Sequence, residues 1–333
     1  MNLKGRSFLT LLDYSKEEIL SLINLSEKFK KLKKDGVVHK YLEGKNIVLL
    51  FEKTSTRTRC SFEVAGNDLG MGVTFLDFAS SQMGKKESIE DTAEVLGRLY
   101  DGIEYRGFDQ DLVKKIAEYA KVPVWNGLTD DFHPTQMIGD LLTIKEHFGY
   151  LENLNFVYIG DGRNNVANSL MIACSKVGLN YTCIAPESLF PDSKLVENCK
   201  NIASGKSTIK ITNNPNKVSG ANIIYTDVWV SMGEPEEVWE KRIKLLKPYQ
   251  VNINLLNKAD SNCIFMHCLP SFHDTNTIIG QEIYNKYGLS AMEVTDEVFR
   301  SEKSLVFTEA ENRMHTIKAI MYSGLSDENI DEK

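Results

Sequence analysis

The stretch NIVLLFEKTSTRTRCSFEVA, residues 46–65, contains the pattern that decides the fold of this chain. Its first part, from Asn46 to Phe51, is a short apolar run of the kind found in buried strands. Its last part, from Cys60 to Ala65, predicts the first turns of a helix. A strand that leads into a helix in this way is the unit from which parallel α/β sheets are built.

Between the strand and the helix lie the hydroxyl groups and guanidinium groups of Ser55, Thr56, Arg57, Thr58 and Arg59. The N–H groups at a helix start, and the positive end of the helix dipole, attract anions. Hydroxyl groups add hydrogen-bond donors, and arginines add planar donors that match phosphate. The pentapeptide therefore predicts an anion site, with an N-capped helix carrying two solvated arginines as the alternative.

Composition limits the class of protein. The chain has 333 residues, which is enough for about two domains with their own hydrophobic cores. Hydrophobic residues make up 42% and charged residues 26%, as is ordinary for a globular protein. Because the net charge is −7, we expect no nucleic-acid partner, and an anion site must be a local basic cluster.

The cysteines predict an intracellular protein without a metal site. They form neither a CxxC pair nor the Cys/His spacing of a zinc site, so we expect reduced thiols and no metal. The apolar runs are too short to cross a membrane, and residues 1–14 lack the pattern of a secretory signal. We therefore expect a cytoplasmic protein that does not bind membranes.

Apolar runs alternate with amphipathic stretches along the chain, which predicts an α/β fold of two domains, each with a central parallel sheet flanked by helices. We expect a first domain over residues 1–150 and a second, doubly wound domain over 151–308. A C-terminal helix at about 309–325 is expected to pack back onto the first domain. The predicted strands are 46–51, 72–76, 102–105 and 122–125, followed by 155–159, 181–185, 209–211, 223–226 and 264–266.

The stretch GDGRNN, residues 160–165, has some features of a dinucleotide-binding turn. Asn165 stands where the third glycine of that pattern belongs, and no acidic residue closes the next strand. A nicotinamide-dependent dehydrogenase is therefore disfavoured. Asn165 is instead expected to offer its amide to a polar ligand.

Two polar groups follow predicted strands of the first domain. Arg106 comes after the strand 102–105, where it is either an anion contact or a surface ion-pair partner. The stretch HPTQ, residues 133–136, opens a helix, because Pro134 suits a first turn. His133 and Gln136 then bring a proton donor and an amide within reach of a carbonyl group, with a plain capping segment as the alternative.

Polar groups also follow the strands of the second domain. Asp227 comes after the strand 223–226, and the stretch SMG at 231–233 is typical of a loop that covers a ligand. His267 precedes Cys268, a pairing that suggests a thiol nucleophile. Adjacent strand residues point to opposite faces, however, so we expect these two side chains not to meet and Cys268 to line a pocket.

Arg313 lies on the last predicted helix, where it is either an anion contact or a surface charge. Taken together, the polar groups after the strands are several cations, one histidine, one glutamine, one aspartate and one cysteine. This set predicts a small anionic substrate with a polar carbonyl and a second substrate that bears an amine.

The motifs STRTR at 55–59, HPTQ at 133–136 and HCLP at 267–270, in this order and spacing, resemble those of the aspartate/ornithine carbamoyltransferase family. Asp227 with the SMG stretch is similar to the acceptor signature of the family's ornithine-specific members. The resemblance covers nearly the whole chain, from about Leu9 to about Leu325.

The resemblance implies an enzyme without a cofactor that transfers the carbamoyl group of carbamoyl phosphate to the side-chain amine of L-ornithine, giving L-citrulline and phosphate. It implies a homotrimer, or an assembly of trimers, with sites between subunits, and Gln82 on a loop that reaches a neighbouring subunit's site. The residues it assigns to catalysis are Arg106, His133, Asp227 and Cys268. Those it assigns to carbamoyl phosphate are Ser55, Thr56, Arg57, Thr58, Arg59, Gln82, Arg106, His133, Gln136, Cys268, Leu269 and Arg313. Those it assigns to L-ornithine are Asn165, Asp227, Ser231 and Met232.

Alternatives stay open from the residues alone. The attacking amine resembles that of lysine, with a pKa of about 10.4, and must lose a proton before it attacks. Asp227, Cys268 and the departing phosphate are each candidates to ease that loss. Another amine acceptor, such as putrescine or aspartate, is an alternative substrate, and a non-catalytic sensor with this fold is an alternative function.

Overall fold

The structure is a computed structural model that describes residues 3–230 and 236–326. It divides into two compact units. The first comprises the described residues up to His147 together with those from Ala310 onward, and the second comprises Phe148–Glu309. The predicted fold class, two α/β domains with parallel sheets, is confirmed.

The first unit is a parallel sheet with helices on its connections. Its elements before Phe148 are α1 (Lys16–Lys34), β1 (Asn46–Phe51), α2 (Thr56–Asp68), β2 (Gly72–Asp77), α3 (Ile89–Leu99), β3 (Gly102–Arg106), α4 (Gln110–Ala120), β4 (Val124–Leu128) and α5 (Pro134–Phe148). The strands pair in the order β2-β1-β3-β4. The direction of the chain across the sheet therefore reverses between β1 and β3, and ligands of such sheets bind beyond the carboxyl ends of strands at a reversal.

Local sequence explains several of these elements. In α1 the Ser15 hydroxyl accepts from the Glu18 N–H, and the Glu18 carboxylate accepts from the Ser15 N–H, so the helix begins with a capping box. β1 is buried along its apolar run from Ile47 to Phe51, as expected for a central strand of a parallel sheet. In α5 every residue from Pro134 to Ile144 is buried, which fixes the start of that helix firmly in the core.

The second unit contains β5 (Asn155–Ile159), α6 (Asn165–Val177), β6 (Asn180–Ile184), α7 (Ser193–Ala203), β7 (Ile209–Thr212), β8 (Ile223–Tyr225), α8 (Glu236–Leu246), α9 (Ile253–Leu256), β9 (Ile264–Met266), α10 (Ile278–Tyr287) and α11 (Asp296–Phe299). Its five strands form a parallel sheet in the order β7-β6-β5-β8-β9. Here the strand order reverses between β5 and β8, so the loops after these two strands face a common crevice.

The last helix, α12 (Val306–Leu325), begins in the second unit and continues into the first. Lys318 on this helix is fully buried, forms an ion pair with Asp68 and lies 3.1 Å from His39 Nε2. Asn312 donates from Nδ2 to the Thr143 hydroxyl at 2.9 Å. These contacts fix the register of α12 within the first unit. They therefore also fix the position of Arg313, which lies between Asn312 and Lys318 in the sequence.

Two sequence expectations concern the environment of the protein. Within the described ranges, no helix combines the length and the hydropathy that a membrane crossing requires. All six cysteines are free thiols, of which Cys60 is exposed and Cys268 half-buried, while the other four are buried.

Candidate active site

The loop between β1 and α2 forms a capped helix start. Ser55 is the N-cap residue, and its Oγ accepts from the Thr58 N–H at 3.2 Å. Thr58 itself is fully buried, so its hydroxyl lies inside the unit. Because β1 ends beside the reversal in strand order, this helix start lies where a parallel sheet offers a ligand site.

Two arginines from distant parts of the chain converge on the Thr58 hydroxyl. Arg106, the last residue of β3, donates from Nη1 to Thr58 Oγ1 at 3.3 Å. Arg313 on α12 donates from Nη2 to the same oxygen at 2.9 Å. The interpretation of Arg313 as a surface charge fails, because its side chain is buried. Two guanidinium groups at one helix start make a local basic cluster in an acidic chain.

His133 lies against this cluster, immediately before α5. Burial lowers the pKa of His133 well below the ordinary 6.5, and the charges of Arg313, Arg106 and Arg57 lower it further. The ring is therefore neutral at neutral pH, and a neutral imidazole can donate a hydrogen bond without giving up its proton. Arg57, in the first turn of α2, is one of the three arginines whose charge lowers the pKa of His133.

Gln136 lies in the first turn of α5 and is fully buried. Its Nε2 donates to Asp140 Oδ1 at 2.7 Å, one turn further along the helix. The pair fixes the orientation of the Gln136 amide at the start of α5, the helix that His133 immediately precedes.

Glu104 on β3 is a buried acid that sequence reasoning missed. Burial raises its pKa well above the ordinary 4.5, against the smaller lowering effects of Arg106 and Arg313. Within the described ranges neither carboxylate oxygen has a hydrogen-bond partner. A Cβ on Gly127 would lie 1.9 Å from Glu104 Oε1, so β4 needs glycine there. The one available signal was a glutamate inside an otherwise apolar strand.

The structure does not bring Arg59 or Gln82 to this cluster. Arg59 Nε donates to Glu63 at 2.8 Å, and its guanidinium carbon lies 3.8 Å from the centre of the Phe75 ring, on the outer side of α2. Gln82 is exposed on the loop before α3, and its backbone carbonyl closes that loop by accepting from the Glu87 N–H. Both positions are on the surface of this chain.

In the second unit, polar side chains gather at the reversal between β5 and β8. Asn164 caps α6 and donates from Nδ2 to Asp227 Oδ2 at 3.1 Å and to the Tyr158 hydroxyl at 2.9 Å. Asp227 is buried, and burial raises its pKa, while His267, the Val228 N–H and the Cys268 thiol act in the opposite direction. Asn165 is the first residue of α6, next to this acid in the lining of one cavity.

The prediction that His267 and Cys268 do not meet is wrong. A ring nitrogen of His267, Cys268 Sγ and a carboxylate oxygen of Asp227 all lie within 4.8 Å of one another. The alternation of side chains does not apply, because β9 ends at Met266 and the two residues follow it. Cys268 Sγ lies 3.4 Å from Asp227 Oδ1, to which it donates.

A cavity of about 80 Å³ lies beside Asn164, Asn165 and Asp227. Asp161 and Arg242 form an ion pair in its wall, a feature that sequence reasoning missed. Its lining residues are Asp161, Asn164, Asn165, Asp227, Val228, Trp229, Val230, Val238 and Arg242. Ser231 and Met232, which we predicted to bind the acceptor, lie outside the described residues.

Two groups of side chains have the donor spacing of a cation site within residues 3–230 and 236–326. One is Asp227 with His267 and Cys268, and the other is His273 with Asp274 and Asp296. In the first, His267 Nδ1 already accepts from the Leu269 N–H at 2.9 Å. In the second, His273 lies 2.7 Å from Asp296 and stacks on Phe299. Both groups therefore have internal partners.

Comparison with protein families assigns the two halves of the chain separately. Residues 6–146 match the model described as "Aspartate/ornithine carbamoyltransferase, carbamoyl-P binding domain". Residues 152–323 match the model described as "Aspartate/ornithine carbamoyltransferase, Asp/Orn binding domain". The two matches together cover most of the chain.

Individual relatives agree with these matches. The chain is 66% identical over 324 residues to the catabolic ornithine carbamoyltransferase of Treponema denticola, covering 97% of this chain and 96% of that one. It is 57% identical to the catabolic ornithine carbamoyltransferase of Bacillus licheniformis, covering 98% of each. Among solved structures, the ornithine carbamoyltransferase of Pyrococcus furiosus aligns with a TM-score of 0.90 at 40% identity, covering 99% of this chain and all of that one.

Proposed function

The chain belongs to the aspartate/ornithine carbamoyltransferase family, and on that premise we propose which of its side chains perform the reaction. The enzyme transfers the carbamoyl group from carbamoyl phosphate to the side-chain amine of L-ornithine, giving L-citrulline and phosphate. The observation that carries the proposal is the convergence of Arg106 and Arg313 on the Thr58 hydroxyl at the start of α2.

The phosphate group of carbamoyl phosphate binds at this helix start. The N–H groups of Ser55, Thr56 and Arg57 and the helix dipole attract the dianion, and the guanidinium groups of Arg57, Arg106 and Arg313 pair with its oxygens. The same contacts strengthen as the phosphate departs and gains charge. The position of two of these arginines on one buried hydroxyl supports a site that is formed before the substrate arrives.

The carbamoyl carbonyl is polarised by donors around its oxygen. His133 is neutral because burial and three arginines lower its pKa. The neutral ring donates a hydrogen bond to the carbonyl oxygen and carries no positive charge that would attract the phosphate group. Arg106 and the Thr58 hydroxyl add further donors. Gln136 and the Cys268–Leu269 segment accept from the carbamoyl N–H groups, which orients the carbonyl carbon for attack.

The acceptor amino acid binds through Asn165, Asp227, Ser231 and Met232. The amine of ornithine is mostly protonated in water, and a buried carboxylate such as Asp227 attracts and orients it. Once the ammonium group has given one proton to the Asp227 carboxylate, its nitrogen bonds to the carbonyl carbon, and the bond from that carbon to the phosphate oxygen breaks. The second proton that the nitrogen loses goes to the departing phosphate. The electron pair leaves with the phosphate, so no covalent intermediate with the enzyme is needed.

Cys268 contacts Asp227 at the acceptor pocket and does not act as a nucleophile. Its thiol donates to Asp227 Oδ1 at 3.4 Å. This contact supports a role in orienting Asp227, and through it the amine.

We further propose that the enzyme is a homotrimer, or an assembly of trimers, in which Gln82 contributes to a neighbouring subunit's site. β2 is an edge strand, and no residue of it is fully buried in the single chain. Natural proteins cover or charge such edges. The Arg59 guanidinium on the Phe75 ring and the exposed Gln82 loop lie in or beside this edge region, which supports contact with a second copy.

A cytoplasmic location is proposed from the thiols. All six cysteines are free, and Cys60 is exposed, a state that persists in reducing compartments. Separation of cell fractions, with the enzyme activity measured in each, tests this assignment.

A colorimetric citrulline assay tests the reaction directly. Purified enzyme is given carbamoyl phosphate with either L-ornithine or putrescine, which carries the same reactive amine but lacks the α-carboxylate. We expect a product with ornithine at a rate at least tenfold above that with putrescine, because one missing charged contact is worth about that factor. Faster turnover of putrescine would contradict the assignment of the acceptor.

A further inference from the structure

A buried histidine lies behind the Cys268–Leu269 segment. The His267 side chain has no exposed surface, and its Nδ1 accepts from the Leu269 N–H at 2.9 Å. We propose that His267 is a positioning residue whose ring holds the Leu269 amide and thereby turns the Cys268 carbonyl oxygen toward the N–H groups of the substrates. This inference rests on the proposed function, and it gives His267 no direct contact with a substrate.

The geometry of the peptide group connects the ring to the site. The Cys268–Leu269 bond is trans, so its C=O and N–H point in opposite directions within one plane. Because the N–H points at the buried ring, the carbonyl oxygen points away from it. Leu269 has a φ of 59°, in the left-handed region that leucine rarely adopts, so the segment needs a partner that holds it there.

Glu293 and Glu309 hold the histidine and the residues on either side of the segment. His267 Nε2 lies 3.4 Å from Glu293 Oε1, and that oxygen also accepts from the Phe272 N–H at 2.6 Å and from the Ser271 hydroxyl at 3.0 Å. Glu309 Oε2 accepts from the His267 N–H at 3.0 Å. A nitrogen that accepts carries no proton, so the neutral ring has its proton on Nε2, facing Glu293.

The ring is also close to the groups proposed to bind the acceptor. One of its nitrogens lies within 4.8 Å of both Cys268 Sγ and a carboxylate oxygen of Asp227. A change in the Leu269 hydrogen bond therefore affects the position of the thiol and of the carbonyl together. Both substrates carry N–H donors that this carbonyl can accept from, the carbamoyl amide and the ornithine amine, and the kinetics of each substrate distinguish them.

Two amide substitutions separate the roles of the two ring nitrogens. In His267→Asn, the side-chain oxygen can occupy the place of Nδ1 and accept from the Leu269 N–H. In His267→Gln, the longer amide reaches the place of Nε2 beside Glu293 but leaves Leu269 without its acceptor. We expect His267→Gln to lower kcat/KM about 30-fold or more. We expect kcat/KM of His267→Asn to be at least about tenfold higher than that of His267→Gln.

The substrate whose KM rises in His267→Gln identifies the N–H group that the carbonyl binds. An increase for ornithine alone identifies the amine, and an increase for carbamoyl phosphate alone identifies the carbamoyl amide. Equal losses in His267→Asn and His267→Gln, or wild-type values in both, would overturn the proposal. The wild-type enzyme in the same assay reports on the proposed function separately, because its failure to form citrulline would contradict the reaction itself.

Amide hydrogen exchange of the wild-type protein gives a test that needs no variant. The Leu269 N–H should exchange slowly in a free enzyme without substrates, because a buried ring nitrogen holds it; rapid exchange would refute the proposal even if His267→Gln fails to fold. His273→Asn, six residues along the same loop region, is the matched control. It should change kcat/KM less than about threefold, as is usual for a histidine near the surface.

Discussion

Arg313 and Thr58, 255 positions apart in the chain, are joined by a buried hydrogen bond of 2.9 Å from the arginine Nη2 to the threonine hydroxyl. Arg106 donates to the same oxygen at 3.3 Å. One hydroxyl thus fixes two cations from different elements at the start of α2. The proposed binding of carbamoyl phosphate at this helix start depends on this arrangement. Removing the Thr58 hydroxyl tests it.

Thr58→Val should lower kcat/KM for carbamoyl phosphate by about 10- to 100-fold, the effect of losing one or two hydrogen bonds to charged groups. Valine keeps the shape of the side chain, so the protein should stay folded. Steady-state kinetics at saturating ornithine measure the effect. Thr182→Val on β6 is the matched control, and an equal loss in that variant would assign the effect to general destabilisation.

His133→Asn should lower kcat/KM for carbamoyl phosphate by about tenfold or more without changing the shape of the pH profile between pH 6 and 8. Burial and the neighbouring arginines lower the pKa of His133, so the ring is already neutral throughout this range. The profile of kcat/KM measured for both proteins checks this. An ionisation near pH 6.5 that is present in the wild type and lost in the variant would contradict a neutral His133.

Glu104→Gln should stabilise the protein increasingly as the pH rises. The pKa of Glu104 is raised in the folded state above the ordinary 4.5. Below that pH Glu104 is protonated in both the folded and the unfolded state, so its ionisation does not change the free energy of unfolding. As the pH rises toward the folded-state pKa, ionisation of Glu104 lowers the free energy of the unfolded chain. The free energy of unfolding of the wild type therefore falls, by up to about 1.4 kcal/mol per pH unit.

Urea unfolding of wild type and Glu104→Gln at pH 5 and pH 8 measures that difference. Glu94→Gln is the control, since Glu94 is an exposed partner of Arg98 and its removal should have the same small effect at both pH values. A gap between wild type and Glu104→Gln that stays the same or shrinks between pH 5 and pH 8 would show that the pKa of Glu104 is not raised in the folded protein.

Arg242→Ala should raise the KM for ornithine by about tenfold and leave the KM for carbamoyl phosphate within about twofold. The side chain lines the cavity that contains Asn165 and Asp227, and its loss leaves the carboxylate of Asp161 without its cation in the cavity wall. Lys241→Ala, one residue earlier on the exposed side of α8, is the control. A larger change for carbamoyl phosphate than for ornithine would place Arg242 elsewhere in the reaction.

Much of the fold follows from local patterns in the sequence. The bounds predicted for the strands at 46–51, 155–159 and 264–266 agree with the structure to the residue, because an apolar run ends at a polar or turn residue in each case. The helix predicted to open within residues 133–136 begins at Pro134, because a proline is compatible with the first turn.

The features that the sequence does not predict are interactions between residues that lie far apart in the chain. Nothing local to Glu104 shows that the charge of Arg313 lowers its pKa. Nothing near Asp161 shows that its partner is Arg242, 81 positions away. The error at His267 and Cys268 had a different cause. Side chains alternate between faces only within a strand, and β9 ends at Met266, so His267 and Cys268 are not held on opposite faces.

We propose that the helix start after β1 binds carbamoyl phosphate, and the variant Arg57→Ala tests this binding. Arg98→Ala, which removes an exposed arginine paired only with Glu94 among the described residues, is the control. Measured by citrulline formation, kcat/KM for carbamoyl phosphate should fall by about 100-fold or more in Arg57→Ala, because a charge-assisted contact is lost where charge develops. A folded Arg57→Ala enzyme with kcat/KM near that of the wild type would contradict the account.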